Sequence, residues 1–373
     1  MNKMNNLIRL QNTSGRVVFE DSIDHFQNGV LRLLQESEAK VSKFLKKSGT
    51  NIFEKKLSTL PDVIFELNRL WTEITLEDSP KNSFNQKSVN FQTNSCFGNE
   101  IIDTYIPLKN KPNLWIGINS MKGFGLLMED DQGTRVRHSV TKYESEYFEG
   151  KQEGLGYGNL KDQFWRVEKS EKQVELVSQI LKKIRFHKKL ANIEILDVGS
   201  GYGTFLNATK KFVKAVRGLD VSMFAASQAE SQFAIQTEIK TLAEYAQKTN
   251  DKYDLITMWD YIEHPDDPFL EINLCRKLLN KDGLLLIKTP NVNALERYIF
   301  GSDYHSFKEE HLHYFSLQSL TTLLSQCGFS VKYSEGVSHL FKGITTIDLC
   351  KEARLAGMES DLIIVAQMQD NSF

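Results

Sequence analysis

The sequence predicts an α/β protein with helices on both faces of an open, mostly parallel sheet. Three observations carry that expectation. Residues 193–198 form a short apolar run with Ile193, Ile195, Leu196 and Val198, as a central parallel strand requires. A glycine turn follows at Gly199, Gly201 and Gly203, and residues 204–213 have the apolar spacing of a helix whose N-terminus points back at that turn. Beyond it, helix-like and strand-like segments alternate through residue 291, the pattern of parallel strands joined by helical crossovers.

Such sheets bind ligands in a crevice at the carboxyl ends of their strands. Glycine permits positive φ there and lets the backbone approach a ligand closely. The dinucleotide fingerprint Gly-x-Gly-x-x-Gly fits Gly199 and Gly201 but meets Thr204 where its third glycine belongs, with Gly203 one residue early. Asp197, two residues before the first glycine, would repel a pyrophosphate but could hold an ammonium group. The pattern Asp197-Val-Gly-Ser-Gly-Tyr-Gly203 resembles the first motif of class I S-adenosylmethionine-dependent methyltransferases. A second strand ends in Asp220, where a carboxylate is placed to accept hydrogen bonds from ribose hydroxyls. That feature suits adenosyl and dinucleotide ligands alike. The bland readings are an ordinary tight turn for the glycines and a surface Asp near a helix cap for Asp220.

Composition bounds the rest. The chain has 373 residues, 40% hydrophobic and 25% charged, the range of a soluble globular protein of two or three domains. A net charge of −2 is no polyelectrolyte signature, so nucleic acid is not the expected partner. No apolar run reaches membrane-spanning length, and the N-terminus lacks the apolar core of a secretion signal. Cys96, Cys275, Cys327 and Cys350 have no paired spacing, which argues against a disulfide scaffold and for a reducing, cytoplasmic setting.

Residues 1–20 carry little periodic signal. Residues 21–48 place Ile23, Phe26, Val30, Leu33, Leu34, Val41, Phe44 and Leu45 at helical spacing, and a second helix is expected from Pro61 through Ile74. These amphipathic elements suit a cover over the rest of the protein, a partner-binding face or a homodimer interface. Residues 79–94 read as a linker rich in Ser, Asn, Gln and Lys. Strand-like runs at residues 101–106, 114–118 and 124–128 suggest a small antiparallel unit. The expected division is a helical region over 1–78, a linker over 79–94, a small β unit over 95–140 and the α/β domain over 141–373. Many of the bacterial methyltransferases that the motifs resemble carry a zinc ribbon at the position of the small unit. Here Cys96 is the only cysteine in that region, so a metal-free remnant or an unrelated small sheet is expected.

Two later segments extend the resemblance. Trp259-Asp-Tyr-Ile-Glu-His-Pro-Asp-Asp-Pro268, after the fourth strand, resembles the corresponding signature of small-molecule methyltransferases of the quinone-biosynthesis-like group. It implies that Asp260 borders the cofactor's methionine part. Glu263 and His264 could bind a substrate hydroxyl, support a divalent ion or order the loop. Glu309-Glu-His-Leu-His-Tyr-Phe-Ser316 resembles the His-Glu-His-x-x-Tyr-Phe region of sugar C-methyltransferases, with Glu310 and His311 matching their acid–base pair. Glu309 stands in place of that pattern's first His, Lys308 in place of its tyrosine, and the spacing to Tyr314 is one residue shorter. Thr241 and Leu242, closing the third strand, fall where the family's adenine-contacting loop lies. Tyr143-Glu-Ser-Glu-Tyr-Phe-Glu-Gly150 resembles the family's lead-in segment. Two final strand-like runs, residues 327–333 and 361–367, fit the antiparallel closing hairpin of a Rossmann-like, seven-stranded class I methyltransferase sheet.

The resemblance therefore implies methyl transfer from S-adenosyl-L-methionine to a small-molecule acceptor, by O- or C-methylation of a saccharide or a lipid or quinone precursor. Asp197, Gly199, Gly201, Gly203, Asp220, Thr241, Leu242 and Asp260 are its expected cofactor residues. His311, Glu310 and His264 are its expected catalytic residues, and no resident metal is assigned. The competing readings are a non-catalytic cofactor-binding module and, given the sheet-and-crevice logic, an NAD(P)-dependent oxidoreductase.

Overall fold

The computed structural model describes residues 7–11, 17–22, 53–56, 91–95, 98–108, 111, 113–129, 163–338, 353–354 and 356–369. The N-terminal part contributes β1 (Leu7–Gln11), β2 (Val17–Ser22) and β3 (Phe53–Lys56), which form a sheet in the order β2-β1-β3. The sequence reading placed no strand here. Asp21 and Ser22, expected to open a helix, instead close β2, while residues 23–48 and the expected helix from Pro61 lie outside the described residues. β4 (Phe91–Ser95) and β5 (Gly98–Ile102) form an antiparallel hairpin, so a strand begins inside the expected linker.

β6 (Thr104–Pro107), β7 (Trp115–Asn119) and β8 (Phe124–Met128) make an antiparallel meander whose inner residues Ile106, Ile116, Ile118 and Leu127 are buried. The main sheet follows α1 (Gln163–Lys183). Its parallel part alternates β9 (Glu194–Val198), α2 (Thr204–Thr209), β10 (Ala215–Asp220), α3 (Met223–Phe233), β11 (Thr237–Ile239), α4 (Leu242–Lys248), β12 (Tyr253–Trp259), α5 (Pro268–Leu278) and β13 (Leu279–Pro290). Then come α6 (Leu295–Phe300), β14 (His313–Phe315), α7 (Leu317–Gln326), β15 (Phe329–Val337) and β16 (Asp361–Met368). The strand order is β11-β10-β9-β12-β13-β16-β15, with β16 antiparallel to both of its neighbours.

Strand alternation divides the core into two layers. Leu196, Ile256, Leu285 and Ile287 face one side, packing with Ile272, Cys275 and Leu278 of α5 and Leu320, Leu323 and Leu324 of α7. Ile195, Leu255, Leu284 and Leu286 face the other, against Val174, Val177, Ile180 and Leu181 of α1 and Phe205 and Leu206 of α2. A period of two on strands buried on both faces is what helices on both sides demand. Helix starts are capped locally. Ser222 accepts from Ala225 N, Thr241 and Glu244 form a reciprocal capping box, and Asp267 accepts from Leu270 N ahead of Pro268.

One join between the two sheets decides where the site lies. β14 belongs to the later part of the chain, yet it pairs antiparallel with β8, giving the order β14-β8-β7-β6. The join is reinforced at both ends. Leu127 N donates to Leu312 O, and Ser316 N and Ser319 Oγ both donate to Gly123 O. The segment that carries His311 is thus strapped across the carboxyl edge of the main sheet. Among the described residues, no helix is long and apolar enough to cross a membrane.

Candidate active site

The glycine turn leaves β9 with all three glycines at positive φ, +72° at Gly199, +51° at Gly201 and +69° at Gly203. At Gly199 the constraint is double. A Cβ there would stand 2.5 Å from Cδ2 of Tyr261, whose hydroxyl is itself held by Glu271 at 2.9 Å. Gly199→Ala is therefore expected to cost about 2 kcal/mol or more of folding stability, from left-handed strain plus displacement of an anchored ring. Denaturant unfolding checks this, and an unchanged midpoint would mean that the ring yields freely.

Asp220 closes the turn from β10. Its Oδ2 accepts from Gly201 N at 2.8 Å and its Oδ1 from Ser222 N at 2.9 Å. Burial raises its pKa, and these amide bonds oppose the rise. Each carboxylate oxygen accepts two hydrogen bonds, so Asp220 can fix the turn and still receive ribose hydroxyls. Asp197 lies on β9, 3% exposed, with Thr257 Oγ1 donating to its Oδ1 at 2.6 Å. Burial pushes its carboxyl up to about 7, Thr257 pulls it down, and the Asp220 charge raises it further. A buried carboxylate with no cation at hand among the described residues suits an incoming ammonium group, so the residues present fit a cofactor with a methionine end and a ribose. Thr241 is engaged in the α4 cap, and Leu242 is 1% exposed in the core. Two large apolar side chains that sequence reasoning did not single out are Met223, at the start of α3, and Ile239, at the end of β11. They remain 68% and 46% exposed.

The loop after β12 begins with Asp260 at φ +54°. Lys288 of β13 binds its Oδ1 at 2.5 Å, Lys169 of α1 approaches Oδ2 at 3.5 Å, and Lys288 also binds Asp361 at 2.7 Å. Burial alone would raise the Asp260 pKa, but the two ammonium groups outweigh it and hold the carboxyl below the usual range. Asp260 therefore stays ionised inside an ion-pair network that the sequence did not reveal. Its available signal was Lys288 within the apolar run of β13.

Glu263 and His264 follow. Glu263 is 1% exposed and receives Thr289 Oγ1 at 3.0 Å, and burial together with the Asp260 charge pushes its carboxyl up to about 8. Its main-chain oxygen accepts from both Leu312 N and His313 N, at 2.9 and 3.0 Å, tying this loop to the β14 strap. His264 Nδ1 lies 2.9 Å from Glu310 O, and His311 Nδ1 lies 2.8 Å from Ser306 O. A carbonyl oxygen only accepts, so each Nδ1 carries the proton and each Nε2 the lone pair. The two rings meet edge to face with centroids 4.8 Å apart. Burial, then the His264 and Lys308 charges, hold His311 well below the usual histidine range, so it is neutral at neutral pH. Glu310 is buried, with its side chain 3.7 Å from Lys308 Nζ; it orients His264 through its main chain, while Ser306 O orients His311. His313 packs against Phe124 and Phe315, and Tyr314 Oη donates to Lys308 O, so both anchor the strap. Residues 143–150 lie outside the described residues.

A family model described as a methyltransferase domain matches residues 170–334. A ubiquinone biosynthesis O-methyltransferase of Coxiella burnetii is 30% identical over 162 residues, 41% of this chain and 69% of that one. The chain belongs to the class I S-adenosylmethionine-dependent methyltransferases. The enzyme of the same description from Histophilus somni is 31% identical over 126 residues, 31% of this chain and 53% of that protein. The chain thus spans about half the length of several of the curated relatives it matches. Among solved structures, magnesium protoporphyrin IX methyltransferase from Synechocystis, with bound S-adenosylhomocysteine, is 16% identical, with a TM-score of 0.43 over 62% of this chain and 98% of that one. Membership of this methyltransferase family removes the oxidoreductase reading.

Proposed function

We propose that this chain methylates a hydroxyl oxygen of a small molecule, using S-adenosylmethionine held between Asp197, the glycine turn and Asp220, with His311 as the general base. When bound, S-adenosylmethionine supplies a methyl carbon on a sulfonium, and its transfer to the acceptor oxygen leaves S-adenosylhomocysteine. The chain's own work is to position the acceptor and to take its proton. The observation that carries the reading is the state of His311. It is neutral, its Nδ1–H is committed to Ser306 O, and its Nε2 holds the lone pair. A group within reach of a hydroxyl in that state is a base without prior deprotonation. Asp260, held ionised by Lys288 and Lys169, supplies negative charge close enough to favour the imidazolium that forms. Met223 and Ile239 offer apolar surface to an adenine ring.

The relatives' description as O-methyltransferases of ubiquinone biosynthesis supports oxygen as the nucleophile and a phenol as the acceptor. The test is release of S-adenosylhomocysteine from S-adenosylmethionine with a phenolic ubiquinone precursor, beside a hexose and a no-acceptor control. Release above control with the phenol is the expected result. Release with the hexose alone would move the acceptor to the saccharides. Release with neither, from protein that binds S-adenosylhomocysteine, would favour the non-catalytic module.

A further inference from the structure

A cavity of about 260 Å³ lies at the edge of the main sheet, between the end of α1, the edge strand β15 and the residues that lead into β16. None of the crevice residues described above lines it. Its wall brings together four charged side chains, Lys183, Glu335, Arg354 and Glu359. Two are acidic and two basic, yet none of them forms an ion pair among the described residues. Lys183 Nζ instead lies over the ring of Tyr333, 4.7 Å from its centroid, and the Tyr333 hydroxyl donates to Glu335.

Glu359 sets the chemistry of the cavity. It is 6% exposed, and among the described residues its carboxyl is met by its own main-chain amide. The fold makes a seat for that carboxyl, because any Cβ on Gly336 of β15 would collide with it. Burial raises its pKa and the Glu335 charge adds to the rise, while its own amide and the Arg354 charge oppose it. A carboxylate withdrawn from water in this way calls for a cation. Lys183 and Arg354 are exposed, so the acidic group forms the floor and the basic groups the rim. Leu362, 3% exposed, and Leu317, 39% exposed, add apolar wall.

Unpaired charges of both signs around one small space suit a molecule that carries both signs itself. We propose that this cavity binds a free α-amino acid with an apolar side chain, its ammonium group at Glu359 and its carboxylate at Arg354. A charge-assisted hydrogen bond then satisfies each of these two side chains, and the apolar side chain lies against Leu317 and Leu362. Nothing in the proposal rests on the role of His311 or on the cofactor crevice. The two places are joined through the chain, since Asp361, two residues beyond Glu359, binds Lys288 of the crevice network.

The test is calorimetric titration of the full chain at pH 8 with L-leucine, L-methionine and L-phenylalanine, with S-adenosylhomocysteine present at saturation. Saturable binding of at least one of the three, one molecule per chain, is the expected result. Isoamylamine and 4-methylpentanoate, which each keep one charge of leucine, should bind about 10-fold more weakly or worse. Glu359→Gln should weaken binding of the amino acid to a similar degree, and so should Arg354→Gln, an exposed change that leaves the buried seat intact. S-adenosylhomocysteine titration of each variant shows that it folds. No binding of any of the three at millimolar concentrations would overturn the site, as would unchanged binding by the two variants. Binding seen only without S-adenosylhomocysteine would place the amino acid in the cofactor crevice and also overturn it. Isoamylamine binding as tightly as the amino acid would overturn the zwitterion as the ligand.

Discussion

His311→Ala is expected to lower methyl transfer by about 10³-fold while S-adenosylhomocysteine binding stays within about twofold, the usual loss for removal of a positioned general base. The expectation follows from how little else His311 does. Among the described residues its ring meets the rings of His264 and Tyr314 and its Nδ1–H is held by one main-chain carbonyl, and the strap that carries it is held independently by β14–β8 pairing and by the amides on Glu263 O. Truncation removes the lone pair and leaves the frame. Exogenous imidazole should restore part of the lost rate, an effect that a purely structural defect would not show. A parallel fall in binding and turnover, without rescue, would make His311 a packing residue instead.

Asp197→Asn is expected to move stability and cofactor affinity in opposite directions. The folded-state carboxyl is raised to about 7, whereas an unfolded Asp titrates near 3.9. Between about pH 4 and 7 the unfolded chain has lost a proton that the folded chain retains, so stability falls as pH rises through that window. Above it the penalty is fully present, on the order of 4 kcal/mol at most at 1.36 kcal/mol per tenfold shift. Asn carries no such penalty and can still accept from Thr257 Oγ1. The variant should therefore unfold later than the parent at pH 8 and at about the same midpoint at pH 4. An ammonium group placed at Asp197 favours the ionised form, so cofactor affinity in the parent should rise with pH up to about 7, and Asn should lose most of that gain. A variant that is less stable at pH 8 would contradict the buried-charge account.

The sheet was legible because its strands are dense apolar runs cut by glycine and aspartate. Residues 193–198, 254–259 and 283–291 announce buried parallel strands, and the observed β9, β12 and β13 overlie them, with β9 starting one residue later and β13 starting four residues earlier and ending one residue earlier. The strap was not legible. β14 is three residues long, and its partner β8 lies almost 190 residues earlier, so its pairing depends on a register that periodicity does not encode. The same holds for the N-terminal sheet, where β1 pairs in parallel with the distant four-residue β3. Within the site, Asp197 and Asp220 were marked by their places at strand ends beside the glycine turn, and His264 and His311 by the resemblance of their segments to methyltransferase motifs. Thr257 entered through its register opposite Asp197 in β12, and Ser306 entered through a main-chain oxygen, a group that no sequence pattern displays. Glu310 shows the converse, since a conspicuous carboxylate turns out to orient His264 through its carbonyl.

The central claim is that the crevice at the ends of β9 and β10 holds the adenosyl cofactor. Calorimetric titration of the purified chain with S-adenosylmethionine and S-adenosylhomocysteine at pH 8, with Asp197→Asn in parallel, tests it most directly. Micromolar binding of both by the parent, weakened at least 10-fold in the variant, is the expected result. No heat from either compound, with a cooperative unfolding transition proving that the sample is folded, would contradict it.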